Sequence, residues 1–395
     1  MKNRAVIIAF LVMLAASVSL LLLPADTESV RSENREPQKM PYLNADTIFS
    51  GRFAEEFEGF LGDNTAFRAP VTKLARMLEE KKGLTLKKGK VIATNKDIGT
   101  GTTQKQTLLL ANGAIMEMFI RNGEQEREYA EAVNMYAEKL PQNIGMYSML
   151  IPTQLEFCEP IYKNLQDSQL DAVNSIYNGL NPRVRVIDAY GALREHTDEY
   201  IYFRTDHHWT PLGAYYGYRE FMNVSGGAAA DKDSYEVNEI KNMLGYLYDR
   251  VPEADSSIIP DTINWYAVDP ENKIKTVMHD VDGNGEITDY RGVMYDRAKA
   301  NYLFFFGSDH PIVDMINTEN PDGKTIAVIK DSYTNVLAPW LIKSYNRVIL
   351  IDPRIYTGTL DTIIKEFNPD DFLFVNYIFT TVFKDYTDLM KGIVR

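Results

Sequence analysis

The chain is poor in the residues that build covalent frameworks and metal clusters: 395 residues contain one cysteine, Cys158, and five histidines. One thiol cannot close an intrachain disulfide, and no Cys/His set stands at the spacing of a structural zinc site. Positive charge is also in deficit. Forty-two Lys and Arg face 55 Asp and Glu, a formal charge of -13, and no basic block follows the N-terminus. This argues against a nucleic-acid partner, whose phosphates would have to be neutralised by cations. Length compensates for the missing disulfides. As a soft prior, 395 residues make two or three domains of about 100–200 residues, enough to bury a sizeable core.

The long apolar run is N-terminal. Lys2 and Arg4 precede Ala5–Leu23, which is interrupted only by serines and stopped by Pro24. This is an export signal, and 19 residues approach the roughly 20 that span a bilayer. We read residues 1–24 as an uncleaved signal anchor with the remainder extracytoplasmic. A cleaved signal peptide is the alternative, giving a secreted protein. No cysteine follows the run to accept a lipid. Residues 25–40 are polar and charged, as expected of a flexible linker. The folded region is expected over 41–395.

Within it, aromatics at helical spacing from Phe53, and Pro70 further on, predict two helices reaching Lys82. Residues 89–120 alternate like strands, and Glu124–Leu140 reads as an amphipathic helix. Then strand and helix patterns alternate: Ile144–Pro152, Gln166–Leu180, Val184–Ala189, and a helix ending near Met222. Residues 224–300 are polar, Tyr-rich and weakly periodic, and are read as an insertion. The alternation resumes with strands Thr325–Lys330, Val348–Ile351 and Phe372–Tyr377, separated by helices Thr334–Ser344 and Leu360–Glu366. This pattern predicts an α/β fold with a mostly parallel sheet, whose functional crevice lies beyond the C-terminal strand ends.

The richest local concentration of chemistry is Arg204-Thr-Asp-His-His-Trp-Thr-Pro211. Thr210 suits an N-cap and Pro211 the first helical position. If the preceding residues are extended, Asp206 and His208 point to the same side and supply a base with its orienting carboxylate. Capping or loop hydrogen bonding by these residues is the competing structural reading. Adjacent histidines on a strand would face apart, which makes a shared metal ion a minor alternative; no metal or cofactor is expected.

Ser332 follows a strand in Lys330-Asp-Ser-Tyr333 and precedes a helix, the placement an acyl-transfer nucleophile needs, although helix capping is commoner at such turns. Asn376 ends another strand as a candidate oxyanion donor or a plain turn residue. Arg354 and Tyr356 follow a third and could face the crevice as substrate contacts; a surface ion pair is equally open for Arg354. Asp280-Val-Asp-Gly-Asn-Gly-Glu-Ile287 has the first half of a calcium loop, but position 12 is Arg291 instead of the required acid.

Taken together, Thr205–Thr210 and Lys330–Tyr333 resemble the bacterial DHHW protein family, and through it the SGNH-hydrolase-like O-acetyltransferases of alginate type. Asp63–Arg68, Gly307–Pro311 and Asp352–Tyr356 extend the resemblance along the exported chain. It implies an SGNH-like, flavodoxin-like fold and a Ser-His-Asp triad in which Asp206, His208 and Ser332 take the roles. Ordinary SGNH hydrolases place the serine first, so the order here resembles a circular permutation. Lys330 replaces the usual glycine and no Gly-x-Asn-Asp block is present. His207 has no role in this mapping.

The resemblance further implies acetylation of a cell-envelope or secreted polysaccharide through an acetyl-serine, with a membrane-bound O-acyltransferase as acetyl supplier. Trp209, Tyr333 and Tyr356 could stack on sugar rings, though core packing is the commoner fate of such residues. A carbohydrate esterase shares the machinery. A non-catalytic polysaccharide-binding or assembly protein would keep only the fold.

Overall fold

The computed structural model describes residues 39–41, 53, 57, 60, 85–86, 89–97, 103–251, 258–281 and 287–395. The expected anchor 1–24, nearly all of the linker, the helix expected over Pro70–Lys82 and the core of the acidic turn at 282–286 lie outside them. Among the described residues no helix is long and apolar enough to cross a membrane. The chain divides into two compact units, residues 1–84 with 251–253, and residues 85–250 with 254–395. In the first, Phe53, Phe57 and Phe60 lie on a helix with their rings stacked in succession.

The second unit opens with a four-stranded antiparallel sheet, β1 (Thr85–Leu86), β2 (Gly89–Asp97), β3 (Thr103–Ala111) and β4 (Ala114–Glu117). Helix α1 (Gly123–Lys139) follows, started by the Asn122 side chain, which accepts from the N–H groups of Glu124 and Gln125. Then come β5 (Gly145–Ile151), the short α2 (Pro160–Lys163), α3 (Gln169–Gly179), β6 (Val184–Ile187), α4 (Ala189–Arg194) and α5 (Pro211–Ser225). Strands β7 (Val237–Met243) and β8 (Asp261–Tyr266) pair with each other, and β9 (Ile274–Val281), β10 (Ile287–Arg291) and β11 (Ile312–Asn317) lead into β12 (Thr325–Lys330). The unit closes with α6 (Thr334–Ser344), β13 (Arg347–Ile351), α7 (Leu360–Phe367), β14 (Asp371–Tyr377) and α8 (Lys384–Val394).

The large sheet has the order β10-β9-β11-β13-β12-β14-β5-β6. Its last five strands are mutually parallel, while β11, β9 and β10 continue it antiparallel. β14 is buried at every residue and β12 at every residue after Thr325. Continuous burial means helices cover both faces, which is why these strands read as unbroken apolar runs. Counted from β12 as first strand, the parallel order is 2-1-3-4-5, the doubly wound flavodoxin-like order with its switch point between β12 and β14. In the chain itself, the fourth and fifth strands of that order, β5 and β6, come first. The topology is therefore a circular permutation, and Ser332 follows the strand at the switch point.

The region 224–300 departs from the expected insertion. β7 and β8 form a small separate sheet, but β9 and β10 belong to the large one. They extend its edge, where β9, among the described residues, buries only Thr276 and Met278, on one face, and a sequence such as Ile-Lys-Thr-Val-Met-His has no unbroken apolar run to announce a strand.

Candidate functional site

Helix α5 begins as its sequence requires: Thr210 Oγ1 accepts from the Gly213 N–H at 3.2 Å, Pro211 takes the first helical position, and Gly226 ends the helix in the left-handed conformation at φ 81°. The residues before it are not a strand. A single antiparallel bridge joins Tyr202 to Trp209, and the Phe203 N–H donates to the His208 carbonyl at 3.2 Å, so residues 203–208 form a loop pinched at its base. Asp206 and His208 come together through an Asx-type turn, with the His208 N–H donating to Asp206 Oδ1 at 3.1 Å.

That loop is held from outside. Asp261 on β8 is fully buried and accepts from the N–H groups of Arg204 and Thr205, both at 2.7 Å, and from the Thr205 hydroxyl at 2.5 Å. On the other side, Gly245 donates to Thr205 Oγ1 at 2.9 Å, and the Tyr246 N–H donates to Asp206 Oδ2 at 3.0 Å. A Cβ on Gly245 would stand 2.4 Å from that of Asp206, so only glycine lets this strap approach.

Three side chains meet across the switch point. His208 Nδ1 lies 2.5 Å from Asp206 Oδ1, and His208 Nε2 lies 2.8 Å from Ser332 Oγ. Asp206 and His208 are buried, whereas Ser332 is partly open. Burial alone would oppose ionisation of Asp206, but the adjacent His208, His207 and the Tyr246 N–H overcome it and hold the carboxyl well below the usual carboxylate range. Asp206 is thus a carboxylate that fixes the imidazole proton on Nδ1, leaving Nε2 to accept from the serine hydroxyl.

Tyr302 touches both halves of this arrangement. Its ring stacks on the His208 imidazole at 3.5 Å with 4° between planes, and its hydroxyl donates to the Ser332 carbonyl at 2.6 Å. Burial raises its pKa well above the ordinary value, so it remains a neutral donor. The Ser332 turn is fixed from behind by Asp331, which accepts from the Tyr333 N–H at 2.9 Å, the Tyr377 N–H at 2.8 Å and Asn376 Nδ2 at 3.2 Å. Among the described residues no acceptor takes the Ser332 backbone N–H.

Four other expected site residues have different surroundings. Asn376 is fully buried, its amide hydrogens directed to Asp331 and to the Tyr386 hydroxyl at 2.5 Å; with both engaged, it has no donor for an oxyanion and instead braces the Asp-Ser turn. Trp209 is wholly buried and donates to the Tyr333 carbonyl at 2.8 Å, which removes it from contact with a sugar and makes it packing under the site. Tyr356 is buried and donates to the Thr359 carbonyl at 3.2 Å, within its own loop. Arg354 is engaged by Asp352 and Asp309, each at 2.8 Å or closer. It is neither a surface pair nor a free substrate contact.

Arg354 belongs to a compact charge cluster at the C-terminal strand ends. Lys330 is almost fully buried, with Nζ 2.8 Å from Asp309, 3.0 Å from Asp352 and 3.2 Å from the Asn335 side chain. Burial disfavours every charge here, yet the two cations hold Asp309 and Asp352 below the carboxylate range and the two acids raise Lys330. Lys330 is therefore a buried anchor that ties β12 to the loops after β13 and before β11.

Ligand atoms of Asp206, His207 and His208 lie within 4.8 Å of one another, a set that could hold a metal ion. The expectation that neighbouring histidines face apart rested on a strand, and the loop turns both rings to one side, their centroids 3.9 Å apart.

The profile of the family described as "DHHW protein" matches residues 84–351. Among solved structures, a DHHW family protein from Eubacterium siraeum DSM 15702 is 27% identical with a TM-score of 0.65, covering 76% of this chain and 97% of its own. PatB1 of Bacillus cereus, solved with a sulfonyl adduct, is 20% identical with a TM-score of 0.59, covering 73% of this chain and 100% of its own. The comparison with curated proteins gives no match.

Proposed function

The chain belongs to the DHHW protein family, and from that footing we propose that it is an SGNH-like O-acetyltransferase acting on a cell-envelope or secreted polysaccharide through an acetyl-Ser332. The carrying observation is the continuous contact Asp206–His208–Ser332 at 2.5 and 2.8 Å. His208 Nε2 takes the hydroxyl proton as Ser332 Oγ attacks the acyl carbonyl, and Asp206 stabilises the imidazolium that forms. The Ser332 N–H is a donor available to the developing oxyanion. The leaving group departs with the proton from His208, giving the acetyl ester. A sugar hydroxyl then gives its proton to His208, attacks that ester and releases Ser332, which regains its proton.

In this reading the protein works outside the cytoplasmic membrane, tethered by residues 1–24, and receives its acetyl unit from a membrane-bound O-acyltransferase. The test is turnover of a chromogenic acetyl ester by the full chain, followed by addition of oligosaccharide acceptors. Ser332→Ala and His208→Ala should each lower kcat on the order of 10⁴-fold or more, and Asp206→Asn by about 10⁴-fold. Acetate release without transfer to any acceptor would make it an esterase. Unchanged turnover in Ser332→Ala would remove the nucleophile assignment, and no turnover by any form would favour the binding role.

A further inference from the structure

The second histidine of the motif is not used by the acyl-transfer reading. Its position says what it can do. His207 Nδ1 lies 3.7 Å from Asp206 Oδ1, the same oxygen that stands 2.5 Å from His208 Nδ1. Two imidazoles and one carboxylate thus converge from three consecutive residues, with one ligand atom of each within 4.8 Å of the others. Asp206 and His208 are buried and the His207 side chain is 11% exposed.

We propose that Asp206, His207 and His208 form an inhibitory zinc site that competes with the triad for the same atoms. Zinc bonds to nitrogen and oxygen are about 2.0–2.2 Å, which places tetrahedral ligand atoms roughly 3.3 Å apart. The Asp206–His207 separation is close to this. The Asp206–His208 hydrogen bond must open by less than about 1 Å, which a side-chain adjustment in a loop supplies. Two imidazoles with one carboxylate select zinc over magnesium or calcium, which prefer all-oxygen sets.

Inhibition follows from the proton inventory. Metal on His208 Nδ1 takes the place of the proton shared with Asp206, which moves to Nε2 of the same ring. A neutral imidazole carries one N–H, which is now the one on Nε2, turned toward Ser332. His208 is then a donor to the serine hydroxyl and no longer its base. No bond in substrate is made or broken, and removal of the metal restores the original tautomer. This inhibitory consequence rests on the acetyltransferase reading, whereas the binding itself does not.

The experiment is zinc titration of the metal-stripped full chain by calorimetry, with magnesium as control, beside inhibition of acetyl-ester turnover. Wild type should bind one zinc and no magnesium, and Ser332→Ala should bind zinc equally well although it lacks the nucleophile. Outer-shell changes already weaken metal sites about 10–100-fold, so His207→Ala and the polar His207→Gln should each weaken binding by roughly tenfold or more, with half-inhibition shifting upward in step. Thermal melting of both variants confirms that they are folded. Absence of zinc binding to wild type, or binding undiminished in both folded His207 variants, overturns the proposal. Zinc binding with these dependences but no turnover in wild type leaves the metal site standing and removes the acetyltransferase reading.

Discussion

At the scale of single residues, Tyr302 is the clearest case of a position at the candidate site that carries no signal in the sequence. Nothing in Tyr-Leu-Phe-Phe-Phe distinguishes its first ring from the following core aromatics, and only the fold brings it onto His208 from 94 residues away in sequence. An aromatic face over a cation is worth about 0.5–2 kcal/mol, and in the proposed mechanism the imidazole becomes a cation only during reaction. Tyr302→Leu should therefore lower kcat for acetyl-ester turnover about 10-fold while KM stays near the wild-type value. Tyr302→Phe keeps the stack, loses the bond to the Ser332 carbonyl, and should fall between the two. Equal kcat in wild type and Tyr302→Leu would show that the stacking plays no part. The reverse error concerns Trp209 and Asn376: both residue types suit a site, and both are consumed by hydrogen bonds beneath it.

At the scale of elements, the central strands were legible because both their faces are covered. Thr325–Lys330 and the helix Thr334–Ser344 stand where their patterns predict them. The strands on the antiparallel side of β13 were not, since β9, β10 and β11 gain their identity from pairing. Their junction carries a pH-dependent tie. His279 on β9 lies 2.6 Å from Asp289 on β10 and 3.8 Å from Asp314 on β11. Asp314 chiefly, with Asp289, raises its pKa above the ordinary 6.5 against the opposing effect of partial burial. A raised folded pKa means that the stability it contributes is fully present below about pH 6.5 and is lost as pH rises through the folded value. Urea midpoints between about pH 6 and 9 should fall more steeply for wild type than for His279→Phe. Parallel curves for the two proteins would remove His279 as the source.

At the scale of the whole molecule, the one structural fact that organises the rest is the permuted sheet. It puts the Asp-His loop before α5 and the serine after β12, so the triad order Asp206, His208, Ser332 is a consequence of where the chain enters the doubly wound layout. The proposed location can be tested at this scale too. Deleting residues 2–24 should move the protein from the membrane fraction to the soluble one. A full-length gene product found soluble outside the cell and shortened at its N-terminus would mean cleavage of the signal instead of anchoring.

What the sequence determined by itself are the properties that depend on neighbours along the chain: the apolar N-terminal run, the cap at Thr210-Pro211, the buried strands, and the residue types of Asp206, His208 and Ser332. Short-range sterics, capping and periodicity govern all of these, and they leave a visible pattern. The tertiary structure alone decided that Asp206 and His208 meet in a loop, that Gly245 and Asp261 clamp it, that Tyr302 covers the imidazole, and that Asn376, Trp209, Tyr356 and Arg354 are occupied elsewhere. Many of these partners stand 30 to 124 residues apart in the chain, and no local pattern encodes which donor finds which acceptor.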